Sequence, residues 1–175
     1  VIAVDGANTA GIESYNRLGD RNLERDQGHI QITSDFIHDV SQVGVLIDAG
    51  VRDAGSNSPH PGSVINTPTL NNPRLVPGVL VQNNIVANFG TTGIRFSGDP
   101  NTGTVATAPV PFGKLVNNTI YGGTTAAGIG FEITDNASPT LMNNIVANTA
   151  TGISVDNTST TTVVGTQLFQ NNTAN

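Results

Sequence analysis

The chain has no cysteine, no tryptophan, one methionine and one lysine, and charged residues make up only 11% of its 175 positions. Each shortage removes a class of explanation. Without cysteine there is neither a disulfide framework nor thiol chemistry. A net charge of -6 argues against nucleic acid and against an anionic membrane surface as partners. No apolar run approaches the ~18 residues that span a bilayer. No stretch reads as a signal peptide, and the opening at Val1 in mid-pattern reads as that of an excised fragment. Two tyrosines and six phenylalanines leave few aromatic platforms for stacking on sugar rings.

What is present is a repeat. Val81-Gln82-Asn83-Asn84-Ile85-Val86-Ala87-Asn88 returns as Leu115-Val116-Asn117-Asn118-Thr119-Ile120-Tyr121-Gly122 and as Leu141-Met142-Asn143-Asn144-Ile145-Val146-Ala147-Asn148. Looser copies begin at Ile32 and Val164. Matching positions Asp35, Asn84, Asn118, Asn144 and Gln167 lie 49, 34, 26 and 23 residues apart. The two shorter spacings suit one coil of a solenoid, and the longer ones a coil plus an inserted loop. Residues 49–78 and 97–112, rich in Pro, Gly, Asn and Ser, read as those insertions. Residues 1–28 read as a degraded first coil or N-terminal cap, with a strand at its start, so that 1–175 forms one domain.

Aligned copies separate inside from outside. The columns Ile32/Val81/Leu115/Leu141/Val164 and Ile37/Val86/Ile120/Val146/Phe169 are apolar throughout, beside neighbours of mixed character. After each Gly-Ile or Gly-Val step, Val45/Ile94/Ile129/Ile153 and Ile47/Phe96/Phe131/Val155 point inward, with Leu46, Arg95, Gly130 and Ser154 outward. Alternation with period two is the strand signature, and it occurs three times per coil. The pattern therefore predicts an all-β, parallel β-helix of five to six coils with three short strands each. Equivalent strands pair in parallel at ~4.8 Å, because no single rung can bury its own apolar face. Asn84, Asn118 and Asn144 form an asparagine ladder at one corner, where asparagine tolerates left-handed backbone and stacked amides bond along the axis. Gly44, Gly93, Gly128 and Gly152 mark a second corner, with positive φ or little space.

These rungs resemble right-handed parallel β-helix repeats of the pectin-lyase-like class, and NosD-like repeats in particular. Connecting stretches such as Pro59-His60-Pro61-Gly62-Ser63 and Asp135-Asn136-Ala137-Ser138-Pro139 resemble modules of very large secreted proteins of planctomycete-type bacteria. The resemblance covers residues 28–175 and implies the fold. It leaves the activity open, since this architecture carries lyases, hydrolases, epimerases, adhesins and inert stalks. The residue sets of its enzymes are incomplete here: Asn66-Thr67 runs into Pro68, Gly28-His29 into Ile30, and Ser58-Pro59-His60 lacks a carboxylate before the Pro-His step.

Two groups of side chains could carry chemistry. His29, Asp35, His38, Asp39, Asp48 and Asp53 cluster in sequence around the first full coil, with His38 and Asp39 at the outer edge of a rung. The resemblance to pectate-type lyases implies a basic Arg or Lys as proton acceptor, and Arg95, outward on a rung, is the candidate for it. A polar rim is the plain alternative for the cluster. The column Asp48/Ser97/Glu132/Asp156, with Asp135 nearby, stacks carboxylates that repel one another unless solvent or a cation screens them. Calcium, which takes oxygen ligands, would suit Glu132, Asp135 and Asp156. A solvated acidic edge is the plain alternative there.

The expected role is structural. The chain reads as a non-catalytic segment of an extracellular or cell-surface protein: a stalk, an adhesin or a surface that contacts glycans. The competing expectations are a polysaccharide lyase or hydrolase and a solenoid that associates head to tail.

Overall fold

The computed structural model describes residues 2–5, 30–48, 79–98 and 113–175. Among these the chain forms fifteen short strands in three parallel five-stranded sheets. The first sheet holds β1 (Ile2–Asp5), β4 (Val43–Asp48), β7 (Thr92–Ser97), β10 (Ile129–Thr134) and β13 (Thr151–Val155). The second holds β2 (Gln31–Thr33), β5 (Val79–Gln82), β8 (Gly113–Val116), β11 (Thr140–Met142) and β14 (Val163–Val164). The third holds β3 (Phe36–Val40), β6 (Ile85–Phe89), β9 (Thr119–Tyr121), β12 (Asn144–Ala147) and β15 (Gln167–Gln170). Each coil visits the second, third and first sheets in turn, and each strand pairs with its equivalent one coil away. This is a right-handed parallel β-helix of about five coils. The strand expected at the N-terminus is β1, paired with β4; the rest of 1–28 lies outside the described residues, as do 49–78 and 99–112. No helix among the described residues is long and apolar enough to cross a membrane.

The inner faces of the three sheets make one core. Val45, Ile47, Ile94, Phe96, Phe131 and Ile133 from the first sheet meet Val81, Leu115 and Leu141 from the second and Val86, Ile120 and Val146 from the third, all at 0% exposure. Burying each such side chain stabilises the fold by roughly 1.5–3 kcal/mol, and only stacking of neighbouring coils provides that burial. At the last rung Val155 and Val164 stay 40% and 47% exposed, because no described strand continues over them.

Two positions in the repeat differ from the reading of its spacing. The ladder asparagines Asn84, Asn118 and Asn144 do not take the left-handed conformation. The residues before them do, with Ser34, Asn83, Asn117 and Asn143 at φ of 63°, 56°, 56° and 54°. Work is divided within each Asn-Asn pair: the exposed first residue turns the corner and the buried second one ties coils together. Asn118 Oδ1 accepts both the backbone N–H and the Nδ2–H of Asn84, at 3.1 and 3.0 Å. Asn118 in turn donates its N–H and Nδ2–H to Asn144 Oδ1, at 2.9 and 3.1 Å. The second Nδ2–H of each reaches a backbone carbonyl: Ile32 for Asn84, Val81 for Asn118 and Leu115 for Asn144. Asp35 closes one end with its N–H on Asn84 Oδ1, and Gln167 Oε1 closes the other by accepting the Asn144 N–H.

The second difference is one of register in the third full coil. The Gly-Ile steps align Ile129 with Ile94 and Phe131 with Phe96, whereas the sheet pairs Phe131 with Ile94 and Ile133 with Phe96. Between the registered pairs Ala87–Tyr121 and Thr92–Ile129 the third coil has seven residues, 122–128, where the second has four, 88–91, and this longer turn shifts the strand by two positions against the Gly-Ile alignment. Gly128 therefore sits in the turn at φ 80°, and Gly130 takes its place in the column with Gly44, Gly93 and Gly152. That column is no corner: its glycines lie within the strands of the first sheet, none at positive φ, where neighbouring rungs leave too little room for a Cβ. A Cβ added to Gly93 would lie 2.6 Å from Ile120 Cγ2 and 2.8 Å from the Gly130 carbonyl oxygen.

Candidate functional site

The same shift rebuilds the outer face of the first sheet. Glu132 leaves the Asp48 row and pairs in register with Arg95, so the outward row reads Leu46, Arg95, Glu132 and Ser154. Asp48 pairs with Ser97, and Ser97 with Thr134, in the neighbouring row. Leu46, Arg95 and Glu132 of the first row and Asp48, Ser97 and Thr134 of the second, together with Asp135 and Asp156, line an open groove of about 380 Å³. Arg95, Glu132, Asp48, Asp135 and Asp156 on its walls make it a candidate site.

Its charges are held by hydrogen bonds from the chain itself. Arg95 Nε donates to Glu132 Oε2 at 2.7 Å, and the buried Thr92 hydroxyl donates to the same oxygen at 2.7 Å. Asp135 Oδ2 accepts the hydroxyls of Ser97 and Thr134 at 2.8 and 2.9 Å. Asp156 Oδ2 accepts the Asp135 N–H at 2.7 Å. Its other oxygen accepts the N–H groups of Thr158 and Ser159 and the Thr158 hydroxyl, which folds the turn that follows β13. The carboxylates that calcium would need thus point at different donors. Among the described residues, no three His, Asp or Glu side chains converge as a metal site requires.

Burial raises the pKa of Asp156, but the Asp135 amide and the hydrogen bonds from Ser159 and Thr158 outweigh it, leaving the carboxyl below its ordinary range. Asp39 is lowered as well, by Asn88 first and then by His38. A depressed folded pKa stabilises the native state above the unfolded value, and that contribution is lost as pH falls through the folded value. Thermal midpoints should therefore fall with decreasing pH below about 4, and Asp156→Asn should flatten the fall. A midpoint series over acidic pH on the two proteins checks this.

Of the cluster around the first full coil, only Asp48 reaches the groove among the described residues. His38 Nδ1 is 2.8 Å from Asp39 Oδ2, and its ring stacks on Phe36 with centroids 4.5 Å apart, on the outside of the third sheet. Asp39 is a corner residue at φ 54°, matched by Asn88, Asn148 and Asn171 in later coils, and Asn88 Nδ2 donates to its carboxylate. Asp35 belongs to the end of the ladder, Asp48 lies in the groove, and His29 and Asp53 are outside the described residues. The described members of the cluster are thus dispersed over three places, and His38, Asp39 and Arg95 form no common centre.

One surface escapes a reading based on inward columns. The residue after each ladder position faces out from the third sheet, giving the registered row Phe36, Ile85, Thr119, Ile145 and Leu168. Its four apolar members are 63%, 47%, 38% and 57% exposed. The alternation that put Ile37 and Val86 inside already placed these outside.

No family model, no curated protein and no solved structure matches the chain.

Proposed function

We propose that the chain is a structural repeat segment of an extracellular or cell-surface protein, serving as a rigid scaffold without catalysis of its own. One observation carries this reading: on the groove Glu132 Oε2, Asp135 Oδ2 and both oxygens of Asp156 accept hydrogen bonds that hold rungs and turns together. These carboxylates are oriented by donors of the chain itself, whereas a general acid or base is aimed at a substrate proton. The cysteine-free, Asn- and Thr-rich composition and the resemblance to pectin-lyase-like repeats of secreted planctomycete-type proteins favour the extracellular setting.

The test is unfolding with millimolar calcium and with EDTA, beside incubation with acidic and neutral polysaccharides. The scaffold reading expects an unchanged midpoint, because a ligand that binds only the native state would raise it, and no new reducing ends or unsaturated products. A calcium-dependent rise that Asp156→Asn removes, or turnover that Glu132→Gln removes, would replace this reading with a lyase or hydrolase.

A further inference from the structure

We propose that the outer face of the third sheet is a contact between two copies of this chain, packed side by side with their solenoid axes antiparallel. The face carries the row Phe36, Ile85, Thr119, Ile145 and Leu168, flanked by His38, Ala87, Tyr121, Ala147 and Gln170. Exposed apolar side chains hold this row in four of its five rungs, with Thr119 in the middle one, and a patch of this kind marks an interaction surface rather than scattered exposure. The second sheet is different: its outward row mixes Gln31, Leu80, Lys114, Thr140 and Val163.

Charge selects a second copy and sets its direction. The whole chain carries -6, yet β6, β9, β12 and β15 hold no charged residue at all. On this face the titratable groups are His38 and Asp39, both on β3 at one end, and the Tyr121 phenol on β9. A copy packed parallel would set the β3 rung of one copy, with Asp39, against the same rung of the other, and like charges brought close are destabilising. Packed antiparallel about a two-fold axis through the Thr119 row, Phe36 meets Leu168, Ile85 meets Ile145, and the charged end meets Gln170. Such an isologous contact closes on itself and stops at two.

Size sets the strength. Five strands at ~4.8 Å spacing, each a few residues long, offer on the order of 500 Å² per copy, so the pair buries roughly 1,000 Å² in all. That is the lower bound for a specific interface, and the dimer is correspondingly weak and dependent on concentration.

Sedimentation velocity on the 175-residue chain, from about 1 μM to about 1 mM, reads the result. The expected outcome is a monomer passing to a dimer with no larger species. Ile85→Lys should weaken the dimer at least about tenfold, and Val163→Lys on the second sheet should leave it unchanged. Adding Ile145→Glu to Ile85→Lys should restore it, because antiparallel packing sets those two positions against each other. Unchanged thermal midpoints confirm that the variants fold. A monomer throughout the range, growth beyond two copies, indifference to Ile85→Lys, or no rescue by the double change would each overturn the proposal. So would an Ile85-dependent retention of monomer on a polysaccharide column, which would assign the face to a glycan.

Discussion

Replacing Asn118 with alanine is expected to lower the unfolding free energy by roughly 3–5 kcal/mol, given about 1–3 kcal/mol for each buried polar group left unpaired. Asn118 is 0% exposed and lies at the centre of the ladder. Truncation removes the acceptor of the Asn84 N–H and the donor to the Val81 carbonyl, and it takes one partner each from the side-chain amides of Asn84 and Asn144. None of these groups can turn to solvent without opening the corner. Asn117→Ala, one residue earlier, should cost only about 1 kcal/mol, because an exposed corner loses a tolerated left-handed conformation and no buried partner. Asn117→Gly should be close to neutral. Urea unfolding of the three variants separates the two roles: similar losses at 117 and 118 would mean that the amides contribute little beyond turn geometry.

Gly93→Ala should destabilise by about 2–4 kcal/mol, at or above the upper part of the range for overpacking. The new methyl would meet Ile120 Cγ2 at 2.6 Å and the Gly130 oxygen at 2.8 Å, well inside the 3.5–4.0 Å of ordinary carbon contact. The oxygen cannot yield, because the pairing of Ile94 with Phe131 fixes it. The thermal midpoint should fall by roughly 5–15 °C for a chain of this size. Gly165→Ala supplies the contrast, since an added Cβ there comes no closer than 3.5 Å to any neighbour. It should stay within about 0.5 kcal/mol of the parent. Equal effects at 93 and 165 would remove the steric explanation for the column.

The coil architecture was legible because one physical constraint repeats. Each inward position must be apolar and each ladder position must offer both a donor and an acceptor, so Asn84, Asn118 and Asn144 announce themselves by spacing alone. The register of the third full coil was not legible, for a reason built into strands. A slip of one residue turns every side chain to the wrong face and is visible in the pattern; a slip of two restores the alternation and is invisible. Gly128-Ile129-Gly130-Phe131 offers two equivalent starts, and only the longer turn at 122–128 decides between them. That choice determined the candidate site, because it moved Glu132 from a stack of carboxylates to the side of Arg95. The Thr92, Ser97 and Ser159 contacts to carboxylates or turn amides were hidden for a related reason. Hydroxyls that satisfy groups 22 to 40 residues away leave no local signal. Asp39 and Asn88 could have been recognised as corner residues from their shared place in the repeat, which competes directly with a catalytic reading of the His38–Asp39 pair.

The measurement that tests the account most directly is residue-resolved amide hydrogen exchange at Asn84, Asn118 and Asn144. Each backbone N–H is accepted by a side-chain oxygen one coil away, at 3.1, 2.9 and 3.1 Å. If these asparagines are structural members, their amides open only with the solenoid as a whole, and their exchange free energies should equal that of global unfolding. Exchange as fast as that of an open turn, with the strands around them still protected, would contradict the ladder and the division of labour drawn from it.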